Sequence, residues 1–235
     1  MTPVRQRKPF FGTSADKKEA MISLGGSLIL TLLYTTVAKQ LDTITSSLEF
    51  WSLVFSFTCV WLSRTENIYS MHAGIISSIY MGIFLLRIEL VGQGWIQFVY
   101  YIPIQLYGWW AWCRGGEQKT ELPVTKLNAR LWLITLFGFT TIWLGTRILF
   151  GAIYENPQYI WWDTSIVAAS IAAQSLMTLK KVESWVFWFF PVNVSSIVLY
   201  LYTDVPAFAV MYTVFLANAA WGWRQWVNSH KQDFS

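Results

Sequence analysis

The sequence YGWWAW at residues 107–112 returns 114 residues later as WGWRQW at residues 221–226, with one glycine and two tryptophans in register. The same offset pairs residues 49–112 with residues 163–226 without a gap. Self-similarity at a fixed spacing is the signature of a duplicated structural unit. We therefore predict that the fold contains two copies of one unit, each ending in the shared tryptophan motif.

The composition indicates whether these units lie in water or in a lipid membrane. Hydrophobic residues make up 54% of the 235 residues and charged residues only 13%, whereas soluble proteins carry about 25% charged residues. A membrane-spanning helix needs roughly 20 apolar residues. Eight such windows carry at most one charge each: 20–38, 43–63, 67–86, 90–113, 131–154, 164–179, 184–203 and 205–223. They predict an all-α integral membrane protein and disfavour a soluble enzyme, a secreted domain or a nucleic-acid binder.

The order of the windows predicts the topology. Fourteen of the 17 Lys and Arg residues fall on one side when eight helices are threaded, which places both termini in the cytoplasm. One helix between two triplets restores the same orientation, so the repeats are parallel. The predicted organisation is 3+1+3 plus one helix: a basic tail (1–19), an extra N-terminal helix (20–38), a first three-helix repeat (48–113), a linker helix (131–150), a second repeat (162–226) and a tail (227–235).

Polar residues inside the apolar windows are candidate ligand-binding residues. Gln97, Tyr101 and Gln105 lie four residues apart and form one stripe on a helix. An unpaired amide in hydrocarbon costs several kcal/mol, so the stripe is expected to face the protein interior. Hydrogen bonding between helices is the alternative role of each glutamine. We select Gln105, close to Pro103, as the principal candidate and Tyr101 as its neighbour.

The corresponding stripe in the second repeat contains Trp185, Trp188 and Asn193 around Pro191. A proline inside a helix removes a backbone hydrogen bond, and broken helices near the middle of a membrane are common at transporter binding sites. The alternative for the two tryptophans is an aromatic belt at the membrane surface. Two weaker candidates are Gln174, which could line the pathway, and Asn218, which could equally pair with another helix.

Motifs for covalent chemistry are missing from the sequence. It contains no phosphate-binding loop, nucleophile elbow or zinc-protease motif, and its two histidines are not clustered with acids. No span carries a central pair of carboxylates that could couple transport to protons or sodium ions. We therefore predict no catalytic residues, no cofactor and no metal site, and conclude that the protein is not an enzyme.

A family resemblance rests on residues in both repeats. The second repeat contains the run Trp162-Asp163-Thr164, then Gln174, Leu176-Met177, Lys180-Lys181-x-Glu183-x-Trp185-x-x-Trp188, Asn193 and Leu199-Tyr200. Together with Tyr107-Gly108-Trp109-x-x-Trp112, this pattern resembles the PnuC-type vitamin transporters over about residues 49–226. The resemblance implies a duplicated fold of the SWEET type in a bacterial inner membrane. It also implies import of nicotinamide riboside, with phosphorylation inside the cell trapping the substrate.

The residues agree with such a substrate, since aromatic faces bind a cationic pyridinium ring and amides bind its carboxamide and hydroxyls. We expect a uniporter that works by facilitated diffusion, with its site between the two triplets. A facilitator of sugars or of another vitamin such as thiamine is the alternative. A membrane-embedded enzyme and a structural subunit are further alternatives.

A phosphorylated substrate is disfavoured, because Arg147 is the basic residue nearest to a span interior. The sequence leaves open whether copies of the chain assemble into a homo-oligomer.

Overall fold

A computed structural model describes residues 7–40, 46–87, 91–153, 160–202 and 206–234 of the chain. The named elements in these ranges are all helical, which confirms the all-α fold class. The chain packs as two compact units, residues 1–123 and residues 124–233. We describe each unit by itself.

The first unit contains four helical rods. The fourth rod changes from α-helix to π-helix and back, and we call its middle part the first π segment. The elements are α1 (Ser14–Gln40), α2 (Ser47–Arg64), α3 (Tyr69–Arg87), α4 (Val91–Ile96), the first π segment (Gln97–Tyr101), α5 (Ile102–Arg114) and a short 3-10 turn (Glu117–Lys119). The helix α2 packs on both α1 and α3, and α3 packs along the whole fourth rod.

The second unit also contains four rods, and here the third rod is interrupted by the second π segment. The elements are α6 (Ala129–Ile153), α7 (Ile160–Thr178), α8 (Ser184–Phe187), the second π segment (Trp188–Val194), α9 (Ser195–Tyr202) and α10 (Pro206–Phe234). The helix α7 packs on α6, on α8 and on the second π segment. Buried alanines on α7, such as Ala168 and Ala172, let the neighbouring backbones approach closely.

Side-chain caps fix where the rods begin. The Thr13 hydroxyl accepts the Asp16 backbone N–H at 3.2 Å, and the Asp16 carboxylate accepts the Thr13 backbone N–H at 2.7 Å. This reciprocal pair is a capping box, which satisfies N–H groups that lack partners inside the helix. Ser46 caps α2 and Asn128 caps α6 by accepting from Glu49 N–H at 3.1 Å and from Leu131 N–H at 2.9 Å.

Among the described residues, three rods are long and apolar enough to span a membrane by length and composition alone: Ser14–Gln40, Ala129–Ile153 and Ser184–Tyr202. Polar residues lower the mean hydropathy of the shorter rods α2 and α7. These polar residues are buried within their units, among them Ser52 and Thr58 on α2 and Thr164 and Thr178 on α7. A polar side chain that faces the protein interior does not contact hydrocarbon, so it is compatible with a membrane helix.

The helices α2 and α7 end in the same backbone motif. Glu66 and Lys180 adopt left-handed conformations, with φ of 57° and 48°. Each lies within a Schellman motif, in which two N–H groups bond back to the last turn of the helix. In the first motif the Asn67 N–H donates to Leu62 O and the Glu66 N–H donates to Ser63 O. The second motif has the same two bonds 114 residues later, from Lys181 N–H to Leu176 O and from Lys180 N–H to Met177 O.

A short non-helical segment precedes the first rod of each unit, and we call residues 7–13 the first strap and residues 124–128 the second strap. Each strap binds the carbonyl of the left-handed residue. Lys8 Nζ donates to Glu66 O at 3.0 Å, and the Thr125 backbone N–H donates to Lys180 O at 3.0 Å. The straps therefore occupy corresponding places within their own units.

Candidate functional site

The amide of Gln105 is buried in the first unit without a hydrogen bond to its acceptor oxygen. The residue is 5% exposed, and its Oε1 has no partner among the described residues. The side chain lies against Gly74 of α3, as expected for a stripe that faces inward. A buried amide oxygen without a partner costs free energy comparable to a lost hydrogen bond. Gln105 is therefore prepared to bind a hydrogen-bond donor.

The first π segment ends four residues before Gln105. In it the Ile102 N–H donates to Gln97 O, five residues back. Pro103 follows at the second position of α5, and its missing N–H prevents an ordinary bond to Val99. Single π turns inside α-helices occur frequently at functional sites. Tyr101, the last residue of the segment, is half-buried, and its ring lies 5.1 Å from that of Tyr100.

Trp185 carries a buried indole in the second unit. The side chain is 2% exposed, packs edge-on against Trp226 at 5.5 Å between ring centroids, and lies against Gly222 of α10. Its Nε1 donor has no partner among the described residues. The Trp185 ring is therefore covered within its unit, whereas a belt residue would expose its ring at the membrane surface.

The second π segment contains Trp188, Pro191 and Asn193. Trp188 is half-buried, and Asn193 is only 3% exposed. The rod continues through Pro191, from Ser184 to Tyr202. The wider π turn accommodates the missing N–H of proline without a break in the rod. Asn193 therefore lies in a widened turn of the helix that also presents Trp185.

The two weaker candidates lie on two different helices of the second unit. Gln174 is half-buried on α7, which packs against α8 and the second π segment. Asn218 is 9% exposed on α10 and lies one turn before Gly222, so it shares the helix face that packs against Trp185. The second unit thus brings Trp185 and the Asn218 face together, while Gln105 and Tyr101 belong to the first unit.

The candidate residues are neutral amides, indoles and a phenol. Arg147 lies with its guanidinium 4.1 Å from the ring centre of Trp161, a cation–π contact at one end of α6. The part of the chain that the structure describes holds no group of three or more His, Cys, Asp or Glu residues that could hold a metal ion. Amides, indoles and phenols are able to bind a flat polar molecule by hydrogen bonds and aromatic contacts.

Sequence reasoning missed two features of these rods. The π segments had a signal in Pro103 and Pro191, but a proline predicts only a lost backbone hydrogen bond and not a widened turn. Gly74 had no signal, and Gly222 was visible only as part of the repeated tryptophan motif, because the contacts of both glycines depend on which helix faces which. Trp109, four residues after Gln105, contacts the first strap. Its Nε1 donates to Phe10 O at 2.8 Å, and its ring lies 4.4 Å from His72.

Comparisons with known proteins find transporters of similar sequence. Residues 46–228 match the sequence model of the family described as "Nicotinamide mononucleotide transporter". The chain is 28% identical over 199 residues to the nicotinamide riboside transporter PnuC of Escherichia coli K12, a match that covers 74% of this chain and 82% of the relative. It is 25% identical over 136 residues to the PnuC transporter of Haemophilus influenzae.

A solved structure supports the fold. The crystal structure of the vitamin B3 transporter PnuC superimposes with a TM-score of 0.71 at 20% sequence identity and covers 94% of this chain and 99% of that structure. The bacterial relatives and the apolar helices together indicate a multi-pass inner-membrane protein. The family match spans well over half of the chain, so the protein belongs to the PnuC family of membrane transporters, a family of transporters rather than enzymes.

Proposed function

We propose that the protein transports nicotinamide riboside across the membrane. The observation that carries the proposal is the buried Gln105 Oε1, which lies without a partner among the described residues of a chain whose curated relatives are named for this substrate. The residues proposed to contact the substrate are Gln105, Tyr101, Trp185, Trp188, Asn193, Gln174 and Asn218.

Each group suits one part of the riboside. The Gln105 oxygen accepts a hydrogen bond from the carboxamide N–H₂ or from a ribose hydroxyl, and the Trp185 N–H donates to an oxygen of the substrate. Half-buried Trp188 offers an aromatic face to the pyridinium cation, a contact of about 0.5–2 kcal/mol. Asn193 both donates and accepts, so it suits a carboxamide or a pair of hydroxyls. Full charges are not needed to bind a substrate with a single delocalised cation.

The riboside is favoured over its phosphorylated form, although the family description names the mononucleotide. A phosphate group is bound in proteins chiefly by Arg and Lys. The candidate residues include neither, and the guanidinium of Arg147 lies on the Trp161 ring. The riboside has no phosphate group, so its uptake does not require a phosphate to lose its hydration inside the membrane.

The proposed mechanism is facilitated diffusion by alternating access, with net uptake driven by phosphorylation of the substrate inside the cell. We also propose the parallel 3+1+3 arrangement with an extra N-terminal helix and both termini in the cytoplasm. Support for the repeat comes from the paired Schellman motifs, whose bonds are 114 residues apart. Support for the orientation is the excess of Lys and Arg on one side of the predicted topology.

Equilibrium binding of the purified protein in detergent tests the substrate. We expect saturable binding of nicotinamide riboside, and none of its mononucleotide, thiamine or glucose, in isothermal titration calorimetry. Gln105→Ala and Asn193→Ala should each weaken binding about tenfold, as expected for one lost hydrogen bond near 1.4 kcal/mol. Asn228→Ala, which removes an exposed amide of α10, is the matched control.

Other outcomes would overturn parts of the proposal. Binding of glucose or thiamine in place of the riboside would assign the alternative facilitator function. Tight binding of the mononucleotide would show that the family description names the substrate of this chain. Wild-type affinity in both amide variants would exclude the proposed site.

A further inference from the structure

Gly74 of α3 lies where the amide of Gln105 needs space. A methyl group at this glycine would overlap with three atoms of the Gln105 side chain, namely Nε2, Oε1 and Cδ. The amide therefore fills the volume in which any other residue would place its Cβ atom. The orientation that leaves Oε1 buried and without a described partner depends on this contact.

The second unit contains the same kind of contact with the helices exchanged. A Cβ at Gly222 of α10 would lie 2.6 Å from Cη2 and 2.7 Å from Cζ2 and Cζ3 of Trp185. In the first unit the glycine lies on α3 and the polar side chain on the fourth rod. In the second unit the side chain lies at the start of the third rod and the glycine on the fourth.

Other glycines in the rods do not lie against a side chain that is proposed to contact the substrate. Gly138 and Gly145 on α6 have no atoms within 4 Å of the place where a Cβ would lie. Gly82, two turns after Gly74 on the same face of α3, would place a Cβ 2.5 Å from the Phe98 ring and 3.2 Å from Gln97 Cβ. Gly82 therefore packs closely but does not contact the Gln105 amide.

We propose that Gly74 and Gly222 are positioning residues for substrate binding, each holding the substrate-contacting side chain of its unit in its binding orientation. The proposal rests on the proposed function, since it assumes that Gln105 and Trp185 contact the substrate. A side chain displaced by about 1 Å loses the geometry of its hydrogen bond. A methyl group at either glycine would therefore act on binding through the neighbouring side chain, without touching the substrate itself.

A double-mutant cycle on Gly74 and Gln105 tests this proposal. Affinity for nicotinamide riboside is measured by calorimetry for Gly74→Ala, Gln105→Ala, the double variant and the wild type. We expect about a tenfold loss in each single variant and no further loss in the double variant, because both changes remove the same contact. Gly138→Ala, at an open glycine, should bind as the wild type does. Gly82→Ala should lower thermal stability with a smaller loss of affinity.

The outcomes separate the two proposals. Wild-type affinity in Gly74→Ala beside weakened binding in Gln105→Ala would overturn the positioning role and leave the proposed function intact. Wild-type affinity in Gln105→Ala would overturn the assignment of Gln105 as a substrate contact. Losses that add in the double variant would show that Gly74 acts by a route other than Gln105.

A folding defect in Gly74→Ala does not prevent the test. The double variant lacks the overlapping amide, so it should recover the melting temperature of Gln105→Ala if the steric contact is the cause. The cycle of Gly222→Ala with Trp185→Phe is the second, independent arm in the other unit. Additive losses of affinity in that cycle, or a double variant at Gly74 that stays unfolded, would contradict the proposal.

Discussion

The two units share their turns and differ in the rod that is widened into a π-helix. In the first unit the π segment lies on the fourth rod, at Gln97–Tyr101, and α3 is a regular helix from Tyr69 to Arg87. In the second unit the rod that corresponds to α3 by the 114-residue offset carries the π segment, while α10 is regular from Pro206 to Phe234. The Schellman motifs after α2 and α7 are nevertheless the same.

The shared turns belong to the scaffold of each unit, whereas the π segments belong to the candidate site. The turns are determined by backbone hydrogen bonds that both units keep, even with Glu66 and Lys180 in place of the glycine usual at a left-handed position. The π segments, each beside a proline, instead accompany the residues proposed to contact the substrate. The glycine contacts follow the same division, because Gly74 and Gly222 lie on the regular rods of their units.

The largest expected effect tests the shared turns. Leu62 and Leu176 occupy corresponding positions in the two Schellman motifs and are 0% and 4% exposed. Replacing either with alanine leaves a cavity, which should lower the free energy of unfolding by about 3 kcal/mol. Equilibrium unfolding in mixed detergents measures both variants, with Leu133→Ala on the exposed face of α6 as control. A large loss in only one unit would break the correspondence.

The next effect tests the difference between the sites. Trp185→Phe keeps an aromatic ring against Trp226 but removes the Nε1 donor, so affinity for nicotinamide riboside should fall about five- to tenfold. The corresponding residue of the first unit is Met71, which is 2% exposed. Met71→Leu conserves volume and should leave affinity unchanged. Equal losses in the two variants, measured by calorimetry, would mean that general packing rather than the indole donor determines binding.

A smaller effect tests the straps. Trp109 Nε1 donates to Phe10 O of the first strap, whereas the corresponding Trp223 is 40% exposed. Trp109→Phe should therefore destabilise the protein by about 1 kcal/mol through the lost hydrogen bond. Trp223→Phe should change stability by less than about 0.5 kcal/mol. Thermal unfolding measures the melting temperature of both variants. Similar melting temperatures would contradict a structural role for the first strap.

The smallest effect is a pH dependence confined to the second unit. Burial lowers the pKa of Lys181, against the opposing charge of Glu183, and Lys181 Nζ donates to Thr125 Oγ1 at 2.6 Å. The folded protein then holds this proton less tightly than the unfolded chain does. Stability should therefore rise as pH increases from the lowered pKa towards the ordinary lysine value of about 10.4.

The corresponding residue in the first unit, Asn67, does not titrate. Lys181→Gln should remove the part of the rise in melting temperature that lies below the ordinary lysine pKa, and Asn67→Gln should not. An unchanged pH profile in Lys181→Gln would contradict the assignment.

Much of this architecture could be predicted from sequence because hydrophobic patterning is local. The apolar windows predicted helices in every described rod, and the amide of Gln105 inside such a window predicted an inward-facing polar group. Tertiary detail could not be predicted in the same way. Gly74 becomes meaningful only when α3 is known to face α5, and no local signal marks Glu66 or Lys180 as left-handed. The residues before Ser14, interpreted as a tail, pack on Trp109 through aromatic contacts distant in sequence.

Counterflow of labelled nicotinamide riboside into proteoliposomes tests the central claim most directly. Vesicles loaded with unlabelled riboside and held without any ion gradient should accumulate label transiently, and Gln105→Ala should slow that accumulation while Asn228→Ala does not. A protonophore should leave the wild-type signal unchanged. Accumulation of labelled mononucleotide instead of riboside, or uptake that requires a proton or sodium gradient, would contradict transport of the riboside by facilitated diffusion.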